Sequence, residues 1–356
     1  MPTPKPIPAC TPASRPEFAY VLSDGDNAIS MYAVNSCTGN LLPTTPATLA
    51  TGGNAFGSES MAVDLAGRFV YVANLVSNAS DLATISMYTI NSTTGVLTPT
   101  TPATVPTGFF PQGIAIDPSG RFVYTANIDD NTVSMFTINS STGVLMPTTP
   151  PTVATGWSPL SVTVDPSGRF AYVANQDDDT VSMYAIDSST GVLTPMTPAT
   201  VPTGSSPFGV TVDPSSKFAY VPNAYDPNNA VSQYTVDSVT GVLTPNTPSQ
   251  VSAGNQPTSV AVDSSGNAAY VVNRADSTVW EYGIDSSGNL TLKDTIATGQ
   301  EPFRITVDPS GNFAYVANES GSVSIYALSS NGTLTSAGTT TTGGTALSVA
   351  VIGSKQ

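Results

Sequence analysis

The stretch Pro159-Leu-Ser-Val-Thr-Val-Asp165-Pro-Ser-Gly-Arg-Phe170-Ala-Tyr-Val-Ala-Asn175 decides the fold. Leu160 to Asp165 alternates small and β-branched residues, the pattern of a strand. Asp165-Pro166-Ser167-Gly168 is a tight turn, because proline presets its φ and glycine accepts a positive one. Arg169 to Asn175 is a second strand, rich in aromatic and β-branched residues. Outward from there, Gln176 to Thr180 is an acidic loop and Val181 to Asp187 a third strand with period-two alternation. Ser188-Ser189-Thr190-Gly191 turns the chain again. Val192 to Thr203 is a fourth, irregular strand carrying Pro195, Pro198 and Pro202. Proline cannot donate to a ladder, so this strand belongs at a sheet edge. The first strand, built of small residues, suits a crowded centre.

The unit recurs seven times. Tyr20, Tyr71, Tyr124, Tyr172, Tyr220, Tyr270 and Tyr315 hold the same second-strand position, 51, 53, 48, 48, 50 and 45 residues apart. Repeats of that length with several short strands mark propeller blades. The reading is an all-β chain, a seven-bladed β-propeller of four-stranded antiparallel blades. Phe18 opens a second strand with no first strand before it. Leu347 to Ile352 reads as a first strand with nothing after it. Each supplies what the other lacks, so the C-terminal strand is expected to pair with the N-terminal blade. The domain reading is a proline-rich tail over 1–17, one propeller over 18–352 and a short tail over 353–356.

Composition excludes several functions. There is no histidine, so imidazole is absent as base, metal ligand or haem ligand, and a Ser-His-Asp triad cannot form. The net charge is −15 with ten basic residues, which argues against nucleic acid and anionic membranes as partners. No apolar run is long enough to insert in a membrane. Met1 to Glu17 holds no apolar segment of signal-peptide type. Charged residues are only 10% of the chain, with Thr, Ser, Pro and Gly in their place. That balance makes an extracellular or cell-surface location, after loss of a leader, the expectation, with a cytoplasmic one as alternative. The turn Ser36-Cys37-Thr38-Gly39 lies on the face from which the chain enters blade one. Cys10 is therefore expected to reach Cys37 as a disulfide, which fits an oxidising compartment.

A site must lie where the blades disagree. The fourth-to-first loops vary most, and Phe109, Phe110, Trp157 and Phe208 in them form a candidate aromatic rim, or else cap the blade interfaces. Most blades place a small residue at the start of the first strand: Ser60, Gly113, Ser161, Gly209, Ser259 and Ser348. Blade seven has Arg304 instead. Arg274 and Glu301 belong to the same face, so Arg304 is a candidate clamp for a carboxylate ligand or a partner of Glu301. In the third strands Met31, Met87, Met135 and Met183 align with Gln233, Glu281 and Ile325, and Glu281 is expected at a partly solvated flank. Asp24, Asp26, Asp129, Asp130, Asp177, Asp178, Asp179 and Asp226 make the second-to-third loops acidic. They lack a calcium-loop pattern, so Ca²⁺ is a minor alternative to turn formation. No other cofactor and no metal is expected. The repeated Asn74, Asn127, Asn175, Asn223, Asn273 and Asn318 are expected to satisfy loop backbone.

The motif D-P-S-G-R-F-x-Y-V-A-N, followed by T-V-S-M-Y and S-T-G-V-L, resembles the lactonase-like propellers and the YVTN-repeat surface proteins. The resemblance spans 18–352. It implies the propeller fold and an activity of the 6-phosphogluconolactonase type, at a site of histidine, arginine and glutamate on the face of the fourth-to-first loops. This chain departs from that pattern by having no histidine, and few arginines for an anionic substrate. No residue is therefore assigned as catalytic. The expected function is a non-catalytic scaffold that binds a protein partner or assembles with itself. A lactone hydrolase and a small-ligand or carbohydrate binder are the alternatives.

Overall fold

A computed structural model describes residues 17–24, 27–51, 61–75, 83–225 and 229–353. They form seven four-stranded antiparallel sheets, each running from first to fourth strand in chain order, except the one that joins the two ends. In that sheet Thr345–Ile352 pairs with Glu17–Asp24, in the register Phe18 to Ile352 and Val21 to Val349. Ala28–Val34 and Leu41–Ala50 complete this blade one. The closing strand begins two residues before the stretch read from the sequence.

The motif residues explain themselves in the interior. Each repeated tyrosine is buried, and its hydroxyl donates to the carbonyl of a turn glycine in the next blade. Tyr172 reaches Gly241 at 2.7 Å, and Tyr20, Tyr71, Tyr124, Tyr220 and Tyr270 do the same to Gly95, Gly143, Gly191, Gly288 and Gly332. Tyr315 of blade seven closes the circuit on Gly39 of blade one at 2.9 Å. Burial pushes these hydroxyls well above the usual phenol range, so they stay donors. The same glycines need their missing side chain. Gly191 has a φ of +75°, and a Cβ there would collide with the Phe122 ring.

The first-to-second turns lie on what we call the lower face. There the Asp165 carboxylate accepts from the backbone N–H groups of Arg169 and Phe170 at 2.9 and 2.8 Å. Arg68, Arg121 and Arg169 lie over the rings of Phe69, Phe122 and Phe170 at 5.0, 5.0 and 4.8 Å. Outer strands such as Leu193–Pro202 are largely exposed and carry the prolines. Opposite Met183 the strand loops out between Pro195 and Thr200.

Two expectations are corrected here. Glu281 is only 4% exposed, not at a solvated flank. It points into the blade interface, where a backbone N–H meets it. The repeated asparagines mainly bind the third strand of their own blade rather than loop backbone. Asn175 Nδ2 donates to Ser182 Oγ at 2.8 Å and to Thr180 Oγ1 at 3.0 Å. Trp280 replaces that serine in blade six, so Asn273 Nδ2 turns to the Val271 carbonyl at 3.3 Å.

Candidate functional site

The upper face carries the fourth-to-first and second-to-third loops, and the two sets hold each other. Asp130 and Asp178 carboxylates accept from the backbone N–H groups of Phe109 and Trp157, each at 2.7 Å, and Asp276 does so for Asn255. Asn131 Oδ1 accepts from Ser158 N–H at 2.9 Å, tying blade three to blade four. These acidic loops thus spend their oxygens on backbone. Among the described residues no group of three or more Cys, Asp or Glu side chains is gathered to hold a metal ion. Asp26 and Asp226 of this acidic series, and Ser60 of the small-residue series, lie outside the described residues.

Blades six and seven differ from blades two to five in carrying a charged residue after the repeated asparagine. Arg274 follows Asn273 at the end of the second strand of blade six, and its N–H donates to the Gln256 carbonyl at 2.9 Å. Glu319 holds the equivalent place in blade seven, its N–H donating to the Glu301 carbonyl at 2.9 Å. The two side chains meet as a fork. Arg274 Nε lies 3.2 Å from Glu319 Oε1, and Nη2 lies 2.6 Å from Oε2. This bond holds the guanidinium above even its usual high pKa, with burial opposing it. Both side chains are partly buried, a setting in which a paired charge is worth more than at an open surface. In blades two to five the same position carries Leu75, Ile128, Gln176 and Ala224, and in blade one Asp24, so an opposed charged pair on neighbouring blades occurs here between six and seven.

Aromatic rings lie beside it. Arg274 Cζ sits 6.0 Å from the centre of the Phe303 ring. Phe303 in turn meets Phe208 edge to face, with centroids 5.5 Å apart. Phe208 belongs to blade five and Phe303 to blade seven, so the pair spans the inner rim of blade six, where Thr258 Oγ1 donates to the Phe303 carbonyl at 2.8 Å. Arg304 is partly buried, opposite Ala317 in the same register as Ser161 opposite Ala174. That ring is crowded: a Cβ on Gly113 would come within 2.7 Å of Ser161 Cα. Glu301 and Tyr225 are exposed at the edge of the cluster, and both bear electrostatically on Arg274.

Of the residues singled out in the sequence, Phe208, Arg274 and Glu301 belong to the cluster around Phe303, and Arg304 lies on the first strand of blade seven. The structure leaves Phe109, Phe110 and Trp157 on blades three and four, 41%, 38% and 67% exposed. The salt bridge made by Arg274 is with Glu319, which sequence reasoning missed along with Phe303 and Tyr225. Comparing the residue after the repeated asparagine across blades would have found Glu319. Cys10 lies outside the described residues, while Cys37 is not a free thiol.

Comparison with known proteins bears on the whole chain. The family described as "Lactonase, 7-bladed beta-propeller" matches residues 13–157 and 159–351. Comparison with curated proteins finds no match. Among solved structures, a protein of Bacteroides fragilis provisionally named a 6-phosphogluconolactonase superposes with a TM-score of 0.79 at 19% identity, covering 98% of this chain and 100% of its own. A protein of Bacteroides uniformis with the same provisional name gives 0.77 at 20% identity, covering 95% and 100%. The periplasmic gluconolactonase of Pseudomonas aeruginosa gives 0.75 at 18% identity, covering 95% and 99%. At such identities these structures establish the shared fold. The family match overturns the expectation of a non-catalytic scaffold and favours the hydrolase alternative. The chain belongs to the lactonase family of seven-bladed β-propellers.

Proposed function

We propose that the protein hydrolyses lactones at the upper-face cluster of blades five to seven. The observation that carries this reading is the Arg274–Glu319 pair, set against Phe303, whose chain neighbour is Arg304. A lactone is a cyclic ester, and its opening needs an activated water and a cation for the carbonyl oxygen. Carboxylate can serve as the base where histidine is absent. In this reading water attacks the carbonyl carbon and Glu301 accepts its proton. A guanidinium presents five N–H donors, so Arg304 retains some for the carbonyl oxygen whatever else it binds. The ring C–O bond then breaks, and the leaving alkoxide takes a proton, giving a hydroxy acid. Arg274 and Glu319 position this wall of the site.

The test is continuous titration of acid release from a panel of γ- and δ-lactones. Saturable turnover that falls about tenfold to a hundredfold in Arg304→Ala and in Glu301→Gln supports the reading. Turnover indistinguishable from buffer across the panel overturns it.

An extracellular or surface location and a Cys10–Cys37 bridge form part of the same proposal. They draw support from the Thr- and Ser-rich exposed strands and from a Cys37 that is not free.

A further inference from the structure

We infer that the substrate of this cluster is a neutral, unphosphorylated polyhydroxy-lactone, and that the Arg274–Glu319 pair turns phosphorylated lactones away. The inference rests on the lactone-hydrolysis reading above. A phosphoryl group brings between one and two negative charges at neutral pH and is held by open cationic forks. The supply of such forks can be followed residue by residue. Of the ten basic residues, Lys5, Arg15 and Lys355 lie outside the described residues. Arg68, Arg121 and Arg169 lie on phenylalanine rings at the lower face. Lys217 belongs to a lower-face turn, where its N–H donates to Asp213 at 2.7 Å. Lys293 sits on the outer strand of blade six, against Gly283. Among the described residues, the upper face is left with Arg274 and Arg304.

Arg274 has already given two of its N–H groups to Glu319. Glu301 adds a second carboxylate whose field reaches the same guanidinium. Two cations therefore face two anions, on a chain whose net charge is −15. A phosphate seeking Arg274 would have to displace Glu319 or lie against both carboxylates, and like charges at contact repel strongly where water is partly excluded. A neutral polyol meets the opposite conditions. Its hydroxyls are donors, and the two carboxylates are acceptors. The C–H face of its ring can lie on the Phe208–Phe303 pair, whose rings meet edge to face at 5.5 Å. Neutral lactone and carboxylate wall thus complement each other, and Glu319 sets the specificity through the cation it occupies.

The experiment compares D-glucono-1,5-lactone with its 6-phosphate in the wild type and in Glu319→Gln. Glutamine keeps the shape of Glu319 and one acceptor while removing its charge. The expected result is a kcat/KM at least about tenfold higher for the neutral lactone in the wild type, with the gap narrowing about tenfold in Glu319→Gln. That narrowing should come from a lower KM for the phosphate. A loss shared equally by both substrates would make Glu319 merely structural and overturn the inference. Calorimetry on the wild type with 1,5-anhydro-D-glucitol and its 6-phosphate reads the same preference without turnover and without a variant. If no lactone turns over but the neutral ring binds more tightly, the hydrolase reading fails and the charge preference stands. Tighter binding of the phosphate, or binding of neither, overturns the inference.

Discussion

The Glu281 carboxylate accepts a hydrogen bond from the backbone N–H of Leu334 at 3.2 Å, joining blade six to blade seven. The same contact recurs around the ring with different acceptors. Gln233 Oε1 takes the Leu290 N–H at 2.6 Å, and the sulfurs of Met31, Met87, Met135 and Met183 lie 3.2 to 3.4 Å from the N–H groups of Leu97, Leu145, Leu193 and Leu243. Glutamate is the one acceptor in this series that can carry charge.

Burial raises the Glu281 pKa above its ordinary 4.5, with Asp294 adding to the rise and the Leu334 N–H and Lys293 opposing it. A raised folded-state value means that the native state binds the proton more tightly than the unfolded chain. The stabilisation is full below the unfolded pKa and is lost as pH climbs through the folded one. Glu281→Gln, which copies Gln233, should raise stability at pH 7 by about 1 kcal/mol, a rise of roughly 2–4 °C in melting temperature. At pH 4 the two proteins should melt together. Equal melting at both pH values would refute the account.

Tyr315→Phe removes the donor to Gly39 at the seam and leaves a buried carbonyl without its partner. The expected cost is about 1–3 kcal/mol. Tyr172→Phe, at an interior blade boundary, should cost the same within error in denaturant titrations, because both bonds belong to one circuit. A much smaller loss at the seam would show that blade one and blade seven part before the rest.

Gly191→Ala asks a side chain to sit at a φ of +75° and against the Phe122 ring. Both effects destabilise, and the sum should exceed about 2 kcal/mol. Pairing it with Phe122→Ala in a double-mutant cycle should recover part of the loss, which isolates the collision from the backbone strain.

Trp157→Ala should leave stability within about 0.5 kcal/mol of the wild type, since the ring is 67% exposed. Its loop is held by the backbone bond to Asp178, which the change keeps. Lactone turnover should also be unchanged, because the ring lies on blade four. A tenfold fall in kcat/KM would bring blade four into the site.

Alkylation of the unreduced protein followed by mass spectrometry reads the proposed Cys10–Cys37 bridge. A peptide pair that separates only after reduction is the expected result. Two carbamidomethylated cysteines without reductant would dispose of it.

The fold was legible because one repeated tyrosine does one repeated job, and a seven-fold pattern averages over the accidents of any single blade. The ends were legible for the same reason: Phe18 and Leu347–Ile352 are parts of a unit whose other copies are complete. The site was read less well. Arg304 and Arg274 stood out because each differs from its own counterparts. Glu319 went unseen because its meaning lies in a neighbour on another blade, and no spacing along the chain announces a pair 45 residues apart. Glu281 was misplaced because a charged letter in a strand suggests solvent. The strand alternation had placed it inward, and a single backbone N–H from Leu334 made that tolerable.

The pairing of Phe18 with Ile352 also gives the protein a built-in order of completion. While the chain is being synthesised, six blades can assemble as they emerge, but blade one waits without its innermost strand. Only when Thr345–Ile352 leaves the ribosome does the ring gain its last member. Without that one strand the ring would stay an open arc with two raw edges, so these eight residues serve as the clasp between blade one and blade seven.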